Sequence, residues 1–163
     1  MARPRNWPEP VERVAAVLRR SGAEARIEEF PQGTPTAEAA AEAAGCGLGQ
    51  IVKSLVFEAG GRFVVAMIPG DRRADRGKVA LTAGTRRARV ASAEEVEAAT
   101  GFAPGAVAPF PLPGVDRLLI DRRLLTQEVV WVGAGSERHL AAISPPDLVR
   151  LTRAATGDLV EER

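Results

Sequence analysis

"GCGLGQIVKSLVFEAGGRFVVAMIPG", residues 45–70, decides the fold of this chain. Two apolar, β-branched runs, "QIVKSLVF" and "RFVVAMIPG", flank "EAGG", and a Gly-containing turn between two such runs is the sequence form of an antiparallel hairpin. The hairpin is expected at the centre of the sheet. It carries one oddity, because Lys53 stands in the middle of its first run. Of 22 basic residues only Lys53 and Lys78 are lysine, the rest being arginine. In strand periodicity Lys53 shares a face with Ile51, Leu55 and Phe57, while Val52, Ser54 and Val56 take the other. Both faces are largely apolar. A lysine is almost never fully buried without a partner, so Lys53 either snorkels out at a sheet edge or stands in a pocket beside an anion. Its compact point charge suits a narrow pocket that a guanidinium fork does not fit.

Outward from the hairpin, helix and strand signals interleave. "VERVAAVLRRSG" spaces Val11, Val14, Ala15 and Leu18 on one helical face, with Gly22 as its C-terminal cap. "ARIEEF" alternates like a strand. "GTPTAEAAAEAAG" reads as a loop feeding a second helix, capped by Thr36, with Glu38 in its first turn and Gly45 closing it. "SAEEVEAATG" opens with the capping-box pattern of Ser92 and Glu95 and ends at Gly101, and "SPPDLVRLTRA" starts with Ser144, Pro145 and Asp147. Between these two lie "DRLLI", "EVVWVGAG" and "RHLAAI", three more strand-like runs. The expectation is a mixed α/β chain, α+β in character, without internal repeats.

At 163 residues the chain has the length of a single domain, 1–163, with a short Pro-rich arm at 1–9. A hydrophobic share of 45% with 26% charged residues marks a globular protein, neither disordered nor membrane-embedded. No run approaches the roughly 20 apolar residues of a membrane helix, and no signal peptide is evident at the start, so a cytoplasmic location is expected. The net charge of +1 disfavours broad duplex binding but leaves room for a local contact with an RNA end. One cysteine, Cys46, and one histidine, His139, exclude an internal disulfide and a Cys/His metal cluster, so no metal and no cofactor are expected.

Two further stretches invite chemistry. "ATGFAPGAVAPFPLPG", residues 99–114, surrounds Phe102 and Phe110 with glycines and prolines. Glycines let a backbone approach a ligand and offer its N–H groups, while prolines hold a loop without donors of their own. It reads either as a ligand loop or as a rigid connection. "VGAGS", residues 132–136, ends an apolar strand with Gly133, Gly135 and Ser136, a short motif that by itself serves equally as a hairpin turn. No nucleophile stands out. Cys46 and His139 lack support as a pair, His139 is expected at the surface or rim, and Trp131 is expected in the core.

"GLGQIVKSLVF", "TGFAPGAVAPF" and "VWVGAGSERHLAAISPPDL", in that order and spacing, resemble the YbaK and prolyl-tRNA synthetase editing-domain family of aminoacyl-tRNA deacylases, over roughly residues 20 to 155. The resemblance implies a YbaK-like fold with a central mixed, partly closed β-sheet surrounded by short helices. It implies no metal or cofactor, and hydrolysis of wrongly charged aminoacyl-tRNA in trans or as a synthetase insertion. Lys53 would line the substrate cleft, with Gly101 and Gly105 offering backbone groups around the aminoacyl ester. Ser54, Phe102, Ala106, Pro109 and Phe110 would contact substrate, and Gly133, Gly135 and Ser136 would close the opposite wall. Members of the alanine-specific branch carry an asparagine after the strand lysine and a histidine in a Gly-Ser-His type wall. Here Ser54 follows Lys53, and Glu137 follows Ser136. Cysteinyl-tRNA(Pro) or alanyl-tRNA(Pro) is the expected substrate, and the partners implied are the 3′ end of an aminoacylated tRNA and prolyl-tRNA synthetase. A binding module of the same fold, holding a tRNA end, a nucleotide or a synthetase without turnover, is the alternative.

Overall fold

The computed structural model describes residues 6–163. The expected hairpin is its centre. β2 (Val52–Ala59) and β3 (Arg62–Pro69) pair antiparallel, with Lys53 opposite Ile68 and Ser54 opposite Met67. β4 (Ala88–Val90) extends this sheet antiparallel to β2, while β5 (Arg117–Asp121) and β8 (Ala155–Gly157) extend it in parallel beyond β3, giving the order β4-β2-β3-β5-β8. Three further strands, β1 (Arg26–Glu29), β6 (Val130–Ser136) and β7 (His139–Ile143), form a second, antiparallel sheet in the order β1-β7-β6. The α+β class agrees with expectation. The single, partly closed sheet does not: there are two open sheets, joined by one parallel bridge between Ile51 and Trp131.

Local signals account for most element ends. α1 (Glu9–Ser21) closes on a left-handed Gly22 and buries Val11, Val14, Ala15 and Leu18, each worth about 1–3 kcal/mol once removed from water. The expected arm at 1–9 falls partly outside the described residues, and Glu9 already belongs to this helix. The Thr36 hydroxyl accepts from the Ala39 N–H to start α2 (Ala37–Ala44). The Ser92–Glu95 capping box opens α4 (Ala93–Thr100), and the Ser144 hydroxyl caps α5 (Pro145–Thr152). One helix was not expected. α3 (Arg76–Ala83) starts on Asp75 and buries only Val79 and Ala80, so it has almost no amphipathic stripe to read.

The two faces of β2 serve two cores. Val52 and Val56 join the main cluster with α1, Phe102, Phe110 and β6, whereas Phe57, with Leu55 against it, joins a second cluster with Ile68, Val79 and Leu159. Trp131, expected in the core, is buried with Ile51, Ala40 and Leu140 in a third. Lys53 and Ser54 therefore sit at the start of the strand where the three clusters meet, beside the junction of the two sheets.

Candidate active site

A cleft of about 350 Å³ opens at that junction. Its floor is the start of β2, with Val52, Lys53, Ser54 and Leu55. One side is the segment entering α2, from Thr34 to Ala37, and the other is formed by Gly105 and Val107. Gly133, Ser136 and Leu140, from β6 and β7, complete it.

Lys53 is half-buried, and its ammonium donates to the carbonyl of Arg72 in the loop after β3. Burial pushes its pKa below the ordinary value; Glu38 at the start of α2 counters this, Arg73 adds to the lowering, and Asp71 favours the charge. The loop that holds it is itself fastened. Arg72 Nη2 donates to the Glu161 carbonyl, the Glu161 N–H to the Arg73 carbonyl, and the Arg163 guanidinium pairs with Asp71 at 3.1 Å. Next to Lys53, the Ser54 hydroxyl is buried and has no hydrogen-bond partner. Such a group costs about 1–3 kcal/mol if nothing satisfies it.

The glycines of "VGAGS" answer to close backbone approach. A Cβ at Gly133 would lie 2.5 Å from the Val107 carbonyl oxygen, so the 99–114 loop lies directly against β6 there. Gly135, at φ +102, has the start of α1 in the same position: a Cβ would lie 2.7 Å from the Pro10 carbonyl oxygen. Gly133 thus borders the cleft, and Gly135 packs against a helix behind it.

Among the residues expected at the site, Lys53, Ser54, Gly105, Gly133 and Ser136 come together around the cleft. Gly101, Phe102, Ala106, Pro109, Phe110 and Gly135 do not line it. Gly101 is the left-handed C-cap of α4, its carbonyl accepting from Arg13 at 2.8 Å. Phe102 and Phe110 are 1% and 4% exposed and fill the main core, the Arg13 guanidinium lying over the Phe102 ring. Ala106 and Pro109 are buried. A Gly/Pro-rich stretch with two phenylalanines reads as a ligand loop in sequence, yet its aromatic side chains anchor it and only its Gly105–Val107 edge faces the cleft.

His139 is a correction. Expected at the surface or rim, it is 2% exposed, at the start of β7 where β1 and Trp7 cover it. Its Nδ1 shares a hydrogen bond with the Ser136 hydroxyl across the two-residue turn, and its Nε2 faces the Glu29 carboxylate at 3.5 Å. Burial lowers its pKa, against the pull of Glu29, while Arg138 adds to the lowering. Nε2 itself is buried without a hydrogen-bond partner, and Cys46, its thiol pushed up by burial, packs instead beside the third core cluster. The signal that could have exposed the Ser136–His139 pair was the i, i+3 spacing across a hairpin turn, which places the two side chains on one face. Among the described residues no group of three or more His, Cys, Asp or Glu is arranged to hold a metal ion, and no helix is long and apolar enough to cross a membrane.

Comparison with known proteins bears on this geometry. Residues 31–151 match the aminoacyl-tRNA editing domain. The chain is 34% identical over 124 residues to the proline-tRNA ligase of Nitratidesulfovibrio vulgaris, covering 75% of this chain and 22% of that one. It is 29% identical over 147 residues to the multifunctional Ser/Thr-tRNA deacylase ProXp-y of Escherichia coli, covering 87% of both. A crystal structure described as a candidate trans-editing enzyme for prolyl tRNA synthetase superposes with a TM-score of 0.89 at 35% identity, covering 96% of this chain and all of the other. With its hairpin lysine, its cleft at the sheet junction and this match across most of its length, the chain belongs to the aminoacyl-tRNA editing domain family.

Proposed function

We propose that the protein is a trans-editing deacylase that hydrolyses the ester of a mischarged tRNA, with Lys53 and Ser54 at the floor of the reaction cleft. The observation that carries this is the half-buried ammonium of Lys53, held by a backbone carbonyl, in a cleft lined by small residues. The cleft volume is at the small end for ligand sites, which suits the aminoacyl-ribose end of a tRNA and a small amino-acid side chain. Such esters are already activated. Orienting a water and stabilising the developing oxyanion with a fixed positive charge supply useful rate without metal chemistry. Editing of this kind answers a physical limit, because a binding pocket rejects a side chain smaller by one methylene by only about 1–3 kcal/mol. Cysteinyl- and alanyl-tRNA(Pro) are the proposed substrates. Seryl-tRNA joins them, because the Escherichia coli relative bears a Ser/Thr-tRNA name.

The tRNA backbone would meet the exposed arginines that follow β3 beside Lys53. Arg73 is exposed in the loop there and Arg76 at the start of α3 just after it, and Arg73 lies close enough to act on the charge of Lys53. Arg73→Ala is expected to raise KM several-fold with kcat retained, and to flatten the dependence of log KM on log salt by about 0.7 per single-strand phosphate released. An unchanged salt slope would remove Arg73 from the interface. The deacylase reading itself is tested by the half-life of a mischarged ester with and without the purified protein. Binding of charged tRNA with no change in ester half-life would leave the non-catalytic module as the function.

A further inference from the structure

We propose that Ser136 and His139 form a proton relay in the cleft wall, in which His139 takes, through the Ser136 hydroxyl, the proton of the water that attacks the aminoacyl ester. This rests on the deacylase reading and deepens it, since neither Lys53 nor Ser54 supplies a base.

The hydrogen bonds of Ser136 and the carboxylate beside His139 set which way the proton runs. Ser136 Oγ accepts from the Arg138 N–H at 3.0 Å and also meets His139 Nδ1. At the far side of the ring, Nε2 is buried without a hydrogen-bond partner and lies 3.5 Å from the Glu29 carboxylate, whose negative charge favours the tautomer that carries its proton on Nε2. Nδ1 is then the acceptor, and the single proton of Ser136 is directed into the ring. The remaining lone pair of Ser136 Oγ is free for the cleft that this residue lines. The turn is held rigidly in place, because the Glu137 carbonyl accepts from both the N–H and the hydroxyl of Thr34, at 2.7 and 3.0 Å, and the Arg138 carbonyl accepts from the Phe30 N–H. The buried ring presents its basic nitrogen one hydroxyl away from the cleft.

In the step itself, the water oxygen adds to the ester carbonyl carbon while one water proton passes to Ser136 Oγ and the Ser136 proton passes to Nδ1. The tetrahedral intermediate then breaks its bond to the ribose oxygen, which takes the proton back along the same two residues. The products are the free amino acid and uncharged tRNA, and both side chains return to their starting state. Ser136 is the catalytic residue and His139 the positioning base behind it.

The charged groups bearing on His139 are Glu29 of β1, which favours imidazolium, and Arg138 in its own turn, which opposes it; the Trp7 ring packs edge-on against the imidazole, with centroids 6.2 Å apart. Burial holds the ring neutral below its ordinary titration point, so the relay is intact at neutral pH and is lost as pH falls through the lowered His139 pKa. His139 is the only histidine, so its titration can be followed in the free protein by imidazole NMR without assignment.

The experiment measures kcat and KM for deacylation across pH with wild type, Ser136→Ala, Ser136→Thr and His139→Gln, alongside the NMR titration and a thermal melt of each. The expected result is a kcat loss of about 100-fold in Ser136→Ala and in His139→Gln, with KM little changed. Ser136→Thr should retain most of the rate, and the acid limb of the wild-type profile should coincide with the NMR titration and vanish in His139→Gln. Should His139→Gln fold poorly, Ser136→Ala and the match between limb and titration decide. Wild-type kcat in Ser136→Ala overturns the relay while leaving the deacylase reading intact if Lys53→Ala is impaired. A wild-type protein without deacylase activity overturns both.

Discussion

Lys53 carries its charge where burial opposes it and two carboxylates support it, while its ammonium is held by a backbone carbonyl, an uncharged acceptor. A phosphate or a developing oxyanion offers it more. Lys53→Ala is therefore expected to lower deacylation at least about tenfold, about 1.4 kcal/mol of transition-state stabilisation, with the thermal midpoint close to wild type. A fully active, equally stable variant would make this lysine structural. Phe102 is the contrasting case. Fully buried beneath Arg13, it should cost about 3–5 kcal/mol in urea unfolding when truncated to alanine, an effect on stability rather than on substrate contact. Lys53 stood out in the sequence because its charge broke an apolar run in a chain that otherwise uses arginine. Phe102 and Phe110, substrate contacts by the family resemblance alone, fill the core instead, and a loop's composition does not reveal which way its side chains face. His139 was misplaced because a single imidazole has no periodic pattern to betray its burial.

The elements that position these residues owe their arrangement to backbone approaches as much as to apolar faces. β6 can lie against the 99–114 loop only because Gly133 has no Cβ, with the Val107 carbonyl oxygen in the space one would fill. Gly133→Ala should force these two apart, destabilising the fold by about 1–3 kcal/mol and widening the cleft wall, which chemical denaturation and KM would register together. Wild-type stability in that variant would mean that the loop moves away freely. At this scale the hairpin, the four cap-defined helices and the strands of the second sheet were legible, since each has turn residues at its ends and a regular apolar period. α3, β4 and β8 were not, for two of them are three-residue edge strands and the third helix buries only two residues. The division into two sheets lies beyond any local signal, because it depends on which distant strands pair, β1 with β7 and β3 with β5.

Across the whole molecule, acid should act in two stages. His139 has a folded pKa below its ordinary 6.5, so the unfolded chain takes up the proton first and stability declines as pH falls below 6.5 towards the folded value. Glu95 is held down to about 2 from 4.5, chiefly by Arg89, and Asp158 well below its usual range, chiefly by Lys78 and then Arg123. Their contributions are complete above the unfolded values and are lost as pH falls below about 4.5 towards the folded ones. Urea midpoints against pH should show both declines, His139→Gln removing the upper and Glu95→Gln with Asp158→Asn reducing the lower. A midpoint independent of pH between 6.5 and 3 would contradict these assignments. The central claim, that the cleft at the sheet junction hydrolyses a wrongly charged tRNA, is tested most directly by incubating the protein with prolyl-, alanyl-, cysteinyl- and seryl-tRNA(Pro) and following loss of labelled ester against a protein-free control. The account predicts rapid loss of at least one mischarged species with prolyl-tRNA(Pro) spared; equal persistence of all four with and without the protein would contradict it.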